Sequence, residues 1–259
     1  MTDLDVPVPA HTLLGHGPAF VWGHGLTSSR ASEDRLPLLR WETITAAGRQ
    51  VVRYDAPGHG ETGGPPDPAA YQWSQLATGL LGLLDHLGLD RVDVGGASMG
   101  CATTLHAAVR SPERFDRLVL VIPPTAWETR SAQAEQYEAS ADLAEREGKA
   151  AWLEVASAEA RPALFADLPP IPMAAEIPEA LLPSVLRGAA ASDLPAPEAI
   201  ASLQHPALVL AWAGDPGHPE STAHRLGELL PNREVNIARD LTDVFTWSAT
   251  IADFLAEPR

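Results

Sequence analysis

Six short, β-rich runs recur along the chain, each built around apolar residues: 19–22, 50–55, 91–96, 118–122, 207–212 and 234–238. Apolar runs of this length, without polar alternation, predict strands covered on both faces, as in a parallel sheet. Between them the period lengthens to that of a helix. Residues 74–87 carry apolar side chains at 76, 80, 81, 83, 84 and 87, with Gly88 as the predicted C-cap. A second helix is predicted over 99–110, stopped before Pro112, and a third over 221–230, stopped at Pro231. The last helix sets Val244, Trp247, Ile251, Phe254 and Leu255 on one side, with Asp243 or Thr242 as its N-cap. Strand and helix alternating in this way predict an α/β fold: a mostly parallel central sheet, right-handed crossovers and helices on both faces.

One stretch breaks the rhythm. Residues 125–204 hold no strand-like run. Residues 135–160 are rich in Ala and Glu and read as helix. Pro-rich sequence follows from Arg161, with further short helices near 178–188 and 196–203. An insertion of this length between two strands is too long for a loop. It is expected to form a helical cap over the C-terminal edge of the sheet, where open α/β proteins bind ligands. The expected division is a core of 1–124 and 205–259 with a cap of 125–204.

Composition narrows the function. The chain has 259 residues, 45% hydrophobic and 20% charged, as expected of a globular protein. It carries 18 Lys and Arg against 34 Asp and Glu, a net charge of −16. Nucleic acid and anionic membrane surfaces both need a basic face, so neither is an expected partner. No run reaches the ~18 apolar residues of a membrane span. The acidic start, MTDLDVPVPA, lacks the pattern of a secretory signal, and one cysteine, Cys101, leaves no disulfide framework. A cytoplasmic protein with no metal and no cofactor is expected, its oligomeric state open. The 24 prolines gather near 64–68, 162–197 and 206–219 and read as loop punctuation.

The chemistry concentrates at Gly96-Ala97-Ser98-Met99-Gly100, where the third predicted strand meets the next helix. This is a G-x-S-x-G pattern in strand–turn–helix context. Small residues two before and two after Ser98 let the chain turn sharply and expose the hydroxyl, and the helix N-terminus stabilises developing negative charge. Two further motifs, Gly23-His24-Gly25-Leu26 and Asp55-Ala56-Pro57-Gly58-His59-Gly60, each follow a predicted strand.

Together these three motifs resemble the α/β-hydrolase superfamily, in its cap-bearing branch of epoxide-hydrolase-like and serine esterase- or lactonase-like enzymes. The similarity runs over nearly the whole chain. By that resemblance the backbone N–H groups of Leu26 and Met99 form an oxyanion hole. Two fixed donors of this kind stabilise a tetrahedral intermediate, and losing one costs ~10²–10³ in rate. The resemblance places His24 and Gly25 at the substrate pocket and gives His59 a structural role. Trp127 stands where the family's pocket wall begins, or else in the core. Trp22, Trp152 and Trp212 read more readily as core. Serine at 98 excludes the relatives that use Asp there to form an alkyl-enzyme ester, and implies acyl-enzyme chemistry.

The same resemblance matches Asp215, in Ala213-Gly214-Asp215-Pro216-Gly217-His218-Pro219, to the catalytic acid. It then calls for a histidine after the last strand. The nine histidines are 11, 16, 24, 59, 86, 106, 205, 218 and 224, and none lies there. A serine hydroxyl without a base within ~3 Å is a poor nucleophile. His218, three residues after Asp215, is the replacement candidate; its other reading is a brace for the cap. His224 reads as surface, His86, His106 and His205 as structural. The expected function is hydrolysis of a carboxylic ester or lactone with a neutral, largely apolar acyl group, through an acyl-enzyme at Ser98. The alternative is a non-hydrolytic protein of the same fold, a cyclase-like enzyme or small-molecule binder, that has lost the standard histidine.

Overall fold

The computed structural model describes residues 8–35, 37–158, 162–166, 168 and 174–257. The acidic start at 1–7 and the far end of the 135–160 helix lie outside the described residues, as does much of the Pro-rich stretch from 161. In chain order the strands and helices are β1 His11–Leu14, β2 Ala19–Gly23, α1 Arg30–Arg35, α2 Trp41–Ala46, β3 Gln50–Tyr54, α3 Trp73–His86, β4 Val92–Ala97 and α4 Met99–Arg110. They continue as β5 Phe115–Val121, α5 Arg130–Ala158, α6 Leu182–Ala190, α7 Pro197–Ala201, β6 Ala207–Trp212, α8 Glu220–Leu229, β7 Arg233–Ala238 and α9 Leu241–Ala256.

Among the described residues seven strands form one sheet in the order β1-β3-β2-β4-β5-β6-β7. Only the β1–β3 pairing is antiparallel. The unbroken apolar runs have a simple cause. Alternate residues of each strand point to opposite faces, and helices cover both. Val21, Leu118, Leu120 and Val209 pack with Leu76, Leu80 and Leu84 of α3 and Leu105 of α4 on one face. Phe20, Trp22, Val119, Val121, Leu208 and Leu210 pack with Ile44 of α2 and Trp247 and Ile251 of α9 on the other. One polar exception, Asp93, sits at the foot of β4, fully buried and held by Arg49 at 2.6 Å and Arg117 at 3.4 Å.

From β2 the chain crosses first to β3 on one side and then to β4 on the other. The crevice between the C-terminal ends of β2 and β4 is therefore a topological switch point, where an open α/β sheet binds ligands. The loop carrying Gly25 and Leu26 and the turn carrying Ser98 both open into it.

Three details differ from the sequence expectation. The strand β1 has no sequence signal, being four residues on a half-exposed edge. The cap of α9 is Asp240, not Asp243 or Thr242: Asp240 Oδ1 accepts from Asp243 N–H at 3.1 Å, and Asp243 Oδ2 accepts from Arg239 N–H at 2.8 Å. The helix is thus capped two or three residues earlier than expected. The long helix α5 is broken at Gly148, whose φ of +85° and ψ of 170° are not helical. Its two parts and α6 share a small apolar cluster of their own, including Ala141, Ala144, Trp152, Leu182, Val185 and Leu186. Leu194, Ile200 and Leu203, further along, pack instead into the main core.

Candidate active site

Ser98 is forced into its position by the turn between β4 and α4. Its φ is +52° and its ψ −109°, a conformation that costs a non-glycine residue about 1–3 kcal/mol. Close backbone passage requires the flanking glycines. A Cβ on Gly100 would fall 2.0 Å from Gly23 O, and one on Gly96 2.4 Å from Gly100 C. Ser98 N–H donates to Val121 O at 3.0 Å, tying the turn to β5. Met99 is the first residue of α4, so its N–H has no acceptor within the helix. Gly25 and Leu26 line the cavity beside Ser98, and a Cβ on Gly25 would sit 3.7 Å from Ser98 Cβ.

His218 lies in the loop after β6 and touches both partners expected of it. One ring nitrogen, Nδ1, is 2.8 Å from Asp215 Oδ2, and the other, Nε2, is 2.8 Å from Ser98 Oγ. The tautomer follows from Asp215. That carboxylate is held near pKa 2: burial alone would raise it, but hydrogen bonds from His218, Trp212 and Gly217 and the imidazole's charge outweigh burial. Trp212 Nε1–H donates to Oδ2 at 2.7 Å and Gly217 N–H to Oδ1 at 2.9 Å. An ionised carboxylate only accepts, so His218 Nδ1 carries the proton. The Nε2 lone pair then faces Ser98 Oγ–H. Between β7 and α9, where the resemblance calls for a histidine, only Arg239 and Asp240 intervene. A serine hydroxyl on an imidazole, itself oriented by a carboxylate, is the constellation of nucleophilic acyl transfer.

The other histidines are engaged elsewhere. His24 does not line the cavity, a correction to its expected place in the pocket. It is buried, its Nδ1–H donates to Gly25 O at 2.8 Å, and its Nε2 accepts Ala56 N–H at 3.0 Å. Both nitrogens brace the loop before Leu26, and burial lowers its pKa. His59 packs beside it, ring centroids 5.1 Å apart, with its pKa pushed down to about 3, first by burial and then by the His24 ring. His106 and His205 bond backbone carbonyls of Asp193 and Pro112, His86 stacks edge-on against His11, and His224 is exposed.

Of its two expected places Trp127 takes the second: it packs half-buried against the main core and does not line the Ser98 cavity. Its backbone N–H donates to the Asp193 carboxylate at 3.0 Å and its indole N–H to Pro195 O at 3.1 Å. These bonds turn it into a separate surface groove with Ser221, His224 and Arg225, not into the Ser98 cavity. Trp212 does more than fill the core, since its indole N–H holds the Asp215 carboxylate.

The cavity above Ser98 measures about 610 Å³. One wall is apolar, with Leu26, Ile122, Trp152, Ala156 and Leu186. The other is one face of α5: Gln133, Gln136, Tyr137 and Ser140. The sequence reading missed these four and expected a largely apolar pocket. Their spacing, i, i+3, i+4, i+7, was the available signal.

Comparison with known proteins agrees with the fold. A 3-oxoadipate enol-lactonase of Acinetobacter baylyi is 32% identical over 176 residues, 64% of this chain and 61% of that protein. A 2-hydroxy-6-oxononadienedioate/2-hydroxy-6-oxononatrienedioate hydrolase of Pseudomonas putida is 41% identical over 83 residues, 31% of this chain and 28% of that protein. The matched stretches thus span less than two thirds of these curated relatives. The solved enol-lactonase of Burkholderia xenovorans LB400 superposes with a TM-score of 0.80 at 22% identity, covering 98% of this chain and 99% of that one. A thermophilic esterase of Thermogutta terrifontis, malate bound, gives 0.73 at 22% identity, covering 95% and 92%. At such identities the likeness is one of fold. Residues 18–240 match the family model described as alpha/beta hydrolase fold, which is most of the chain: it belongs to the α/β-hydrolase family.

Proposed function

We propose that this chain is a serine hydrolase that cleaves a carboxylic ester or lactone through an acyl-enzyme at Ser98. The observation that carries the reading is His218, within 2.8 Å of both Ser98 Oγ and Asp215 Oδ2. Ser98 Oγ attacks the scissile carbonyl carbon as its proton passes to His218 Nε2. The carbonyl oxygen becomes an oxyanion beside the N–H groups of Leu26 and Met99. The imidazolium, steadied by Asp215, returns the proton to the leaving alkoxide, and the C–O bond breaks. Water then attacks the acyl-enzyme with His218 again as base, releasing the acid and restoring Ser98. In a lactone the leaving alkoxide stays attached to the acyl chain. The enol-lactonase name of a relative supports this substrate class.

Residues 125–204 act in this reading as the lid. The α5–α6 cluster walls the cavity, and Leu194, Ile200 and Leu203 at the far end of the segment pack against the main core. Glu176 N–H donates to Thr27 O at 2.8 Å, fastening the lid to the loop of Leu26. The buried single thiol, Cys101, suits a reducing compartment such as the cytoplasm. The non-hydrolytic alternative is motivated by the absent late histidine, and the 2.8 Å approach of His218 Nε2 to Ser98 Oγ supports the hydrolytic reading over it.

Labelling with a fluorophosphonate tests the reading. We expect one adduct, on Ser98, absent from Ser98→Ala and strongly slowed in His218→Ala. Equal labelling of wild type and Ser98→Ala would refute it.

A further inference from the structure

We propose that the substrate is uncharged but carries a hydrogen-bonding oxygen, a hydroxyl or carbonyl, remote from the scissile bond and recognised by the α5 face of the cavity. The inference rests on the serine-hydrolase reading and names the substrate class of that same site.

The α5 wall is polar without being charged. Gln133, Gln136, Tyr137 and Ser140 stand on one helical face toward the cavity. Gln133 Nε2 donates to Gln136 Oε1 at 3.1 Å, which fixes the pair's orientation. Gln133 also reaches over the acid–base loop: a Cβ on Gly217 would lie 3.9 Å from its Oε1. Amides and hydroxyls both donate and accept, so this wall matches a neutral oxygen.

Among the described residues a substrate carboxylate finds no matching cation. Among the described lining residues the charge-bearing groups are Asp215 and His218, which bind each other. Two arginines stand close to this face, Arg130 as the first residue of α5, 5.3 Å from the Tyr137 ring, and Arg187 on α6, and both are already engaged. Arg130 is buried, donates to Ser192 O at 2.6 Å and Thr125 Oγ1 at 3.1 Å, and lies over the Trp73 ring at 4.4 Å. Arg187 is tied to Asp142 at 2.9 Å and Glu145 at 2.6 Å. An anion placed here would be desolvated beside the Asp215 carboxylate with no cationic partner among the described lining residues. A purely apolar chain would instead strip water from the α5 amides without replacing it.

The test uses three matched hexyl fluorophosphonates ending in hydroxyl, methyl or carboxylate, with Ser98 phosphonylation timed by intact-protein mass spectrometry. We expect the hydroxyl probe to react about 10-fold faster than the methyl probe, one net hydrogen bond. It should outpace the carboxylate probe by on the order of 10²-fold. The double variant Gln133→Leu/Gln136→Leu, which removes both amides from the cavity wall, should bring the hydroxyl-to-methyl ratio close to one. A carboxylate probe as fast as the hydroxyl probe overturns the inference while leaving Ser98 as nucleophile. So does a hydroxyl-to-methyl ratio that the double variant leaves unchanged. No adduct from any probe on folded protein strikes the serine-hydrolase reading itself, and this inference falls with it.

Discussion

Replacing Asp215 by Asn asks the site to choose between two bad arrangements, and the geometry says which it takes. Asp215 Oδ2 accepts from Trp212 Nε1–H and His218 Nδ1–H, and Oδ1 accepts from Gly217 N–H. An amide has one accepting end. If its oxygen takes the Oδ2 place, Trp212 and His218 keep their acceptor and the NH₂ group confronts Gly217 N–H. If it takes the Oδ1 place, NH₂ confronts the Trp212 indole and forces His218 into the other tautomer. Gly217 lies on a half-exposed loop and finds water, whereas Trp212 is only 8% exposed. An unsatisfied buried donor costs about 1–3 kcal/mol, so the first arrangement wins. His218 then keeps its working tautomer but loses the carboxylate that steadies the imidazolium. At a charge separation of about 4 Å and an effective dielectric near 20 that interaction is worth ~4 kcal/mol, or ~10³ in rate. Adding Trp212→Phe removes the reason for the first arrangement and frees the amide to flip. The double variant should fall further, toward the ~10⁴ loss that a wrong tautomer causes. Steady-state hydrolysis of a neutral aryl ester, with circular dichroism as a fold control, measures both. An Asp215→Asn enzyme retaining a tenth of wild-type kcat/KM would sink the role given to Asp215. A double variant faster than the single would refute the tautomer argument.

Other outcomes follow from the same geometry. His218→Ala should lose on the order of 10³-fold or more in turnover, and His224→Ala none, by the same ester assay. Ser98→Gly should be more stable than Ser98→Ala by about 1–2 kcal/mol in urea unfolding, because only glycine tolerates the +52° φ without strain; equal stability would show the turn to be unstrained. Gly100→Ala should destabilise by about 3 kcal/mol or fail to fold, since its Cβ would overlap Gly23 O at 2.0 Å. Stability should fall as pH drops below about 6.5. Buried His24 and His59 have lowered folded pKa values, so the unfolded chain takes up protons that the folded one refuses, at about 1.4 kcal/mol per pH unit each. Glu33, raised to about 7 chiefly by burial, works the other way below pH 7, and Glu33→Gln should therefore steepen the loss between pH 6.5 and 5.

The fold was legible where burial on two faces writes an unbroken apolar run. Val119 and Leu120 face opposite cores, yet both must be apolar, so five residues suffice to mark β5. The same logic explains the misses. β1 is an edge strand whose HTLL sequence is half exposed, and it has no second core to demand apolar residues. Helices α1 and α2 are six residues each, too short to display a helical period. Gly148 lies within an Ala- and Glu-rich stretch that favours helix on both sides, and only the backbone angles reveal the break.

The site was legible to different depths for a physical reason. Ser98 is tied to a turn that permits few sequences, because Gly96 and Gly100 answer backbone contacts of 2.4 and 2.0 Å. Trp127 and His24 carry no such signature. Their directions are set by distant partners, Asp193 and Pro195 for one, Ala56 for the other, and sequence spacing is silent on both. His218 falls between these cases. Placing the proposed acid and base three residues apart asks one loop to aim both, and two bonds hold that loop: Gly217 N–H to the Asp215 carboxylate and Thr125 N–H to Gly217 O at 3.2 Å. Once His218 comes from the β6 loop, the β7–α9 connection has no side chain to deliver. It can contract to Arg239 and Asp240, and it is free to cap α9 through Asp240 instead. The shortened loop and the relocated histidine are two sides of one arrangement, and lengthening the first would not by itself restore the second.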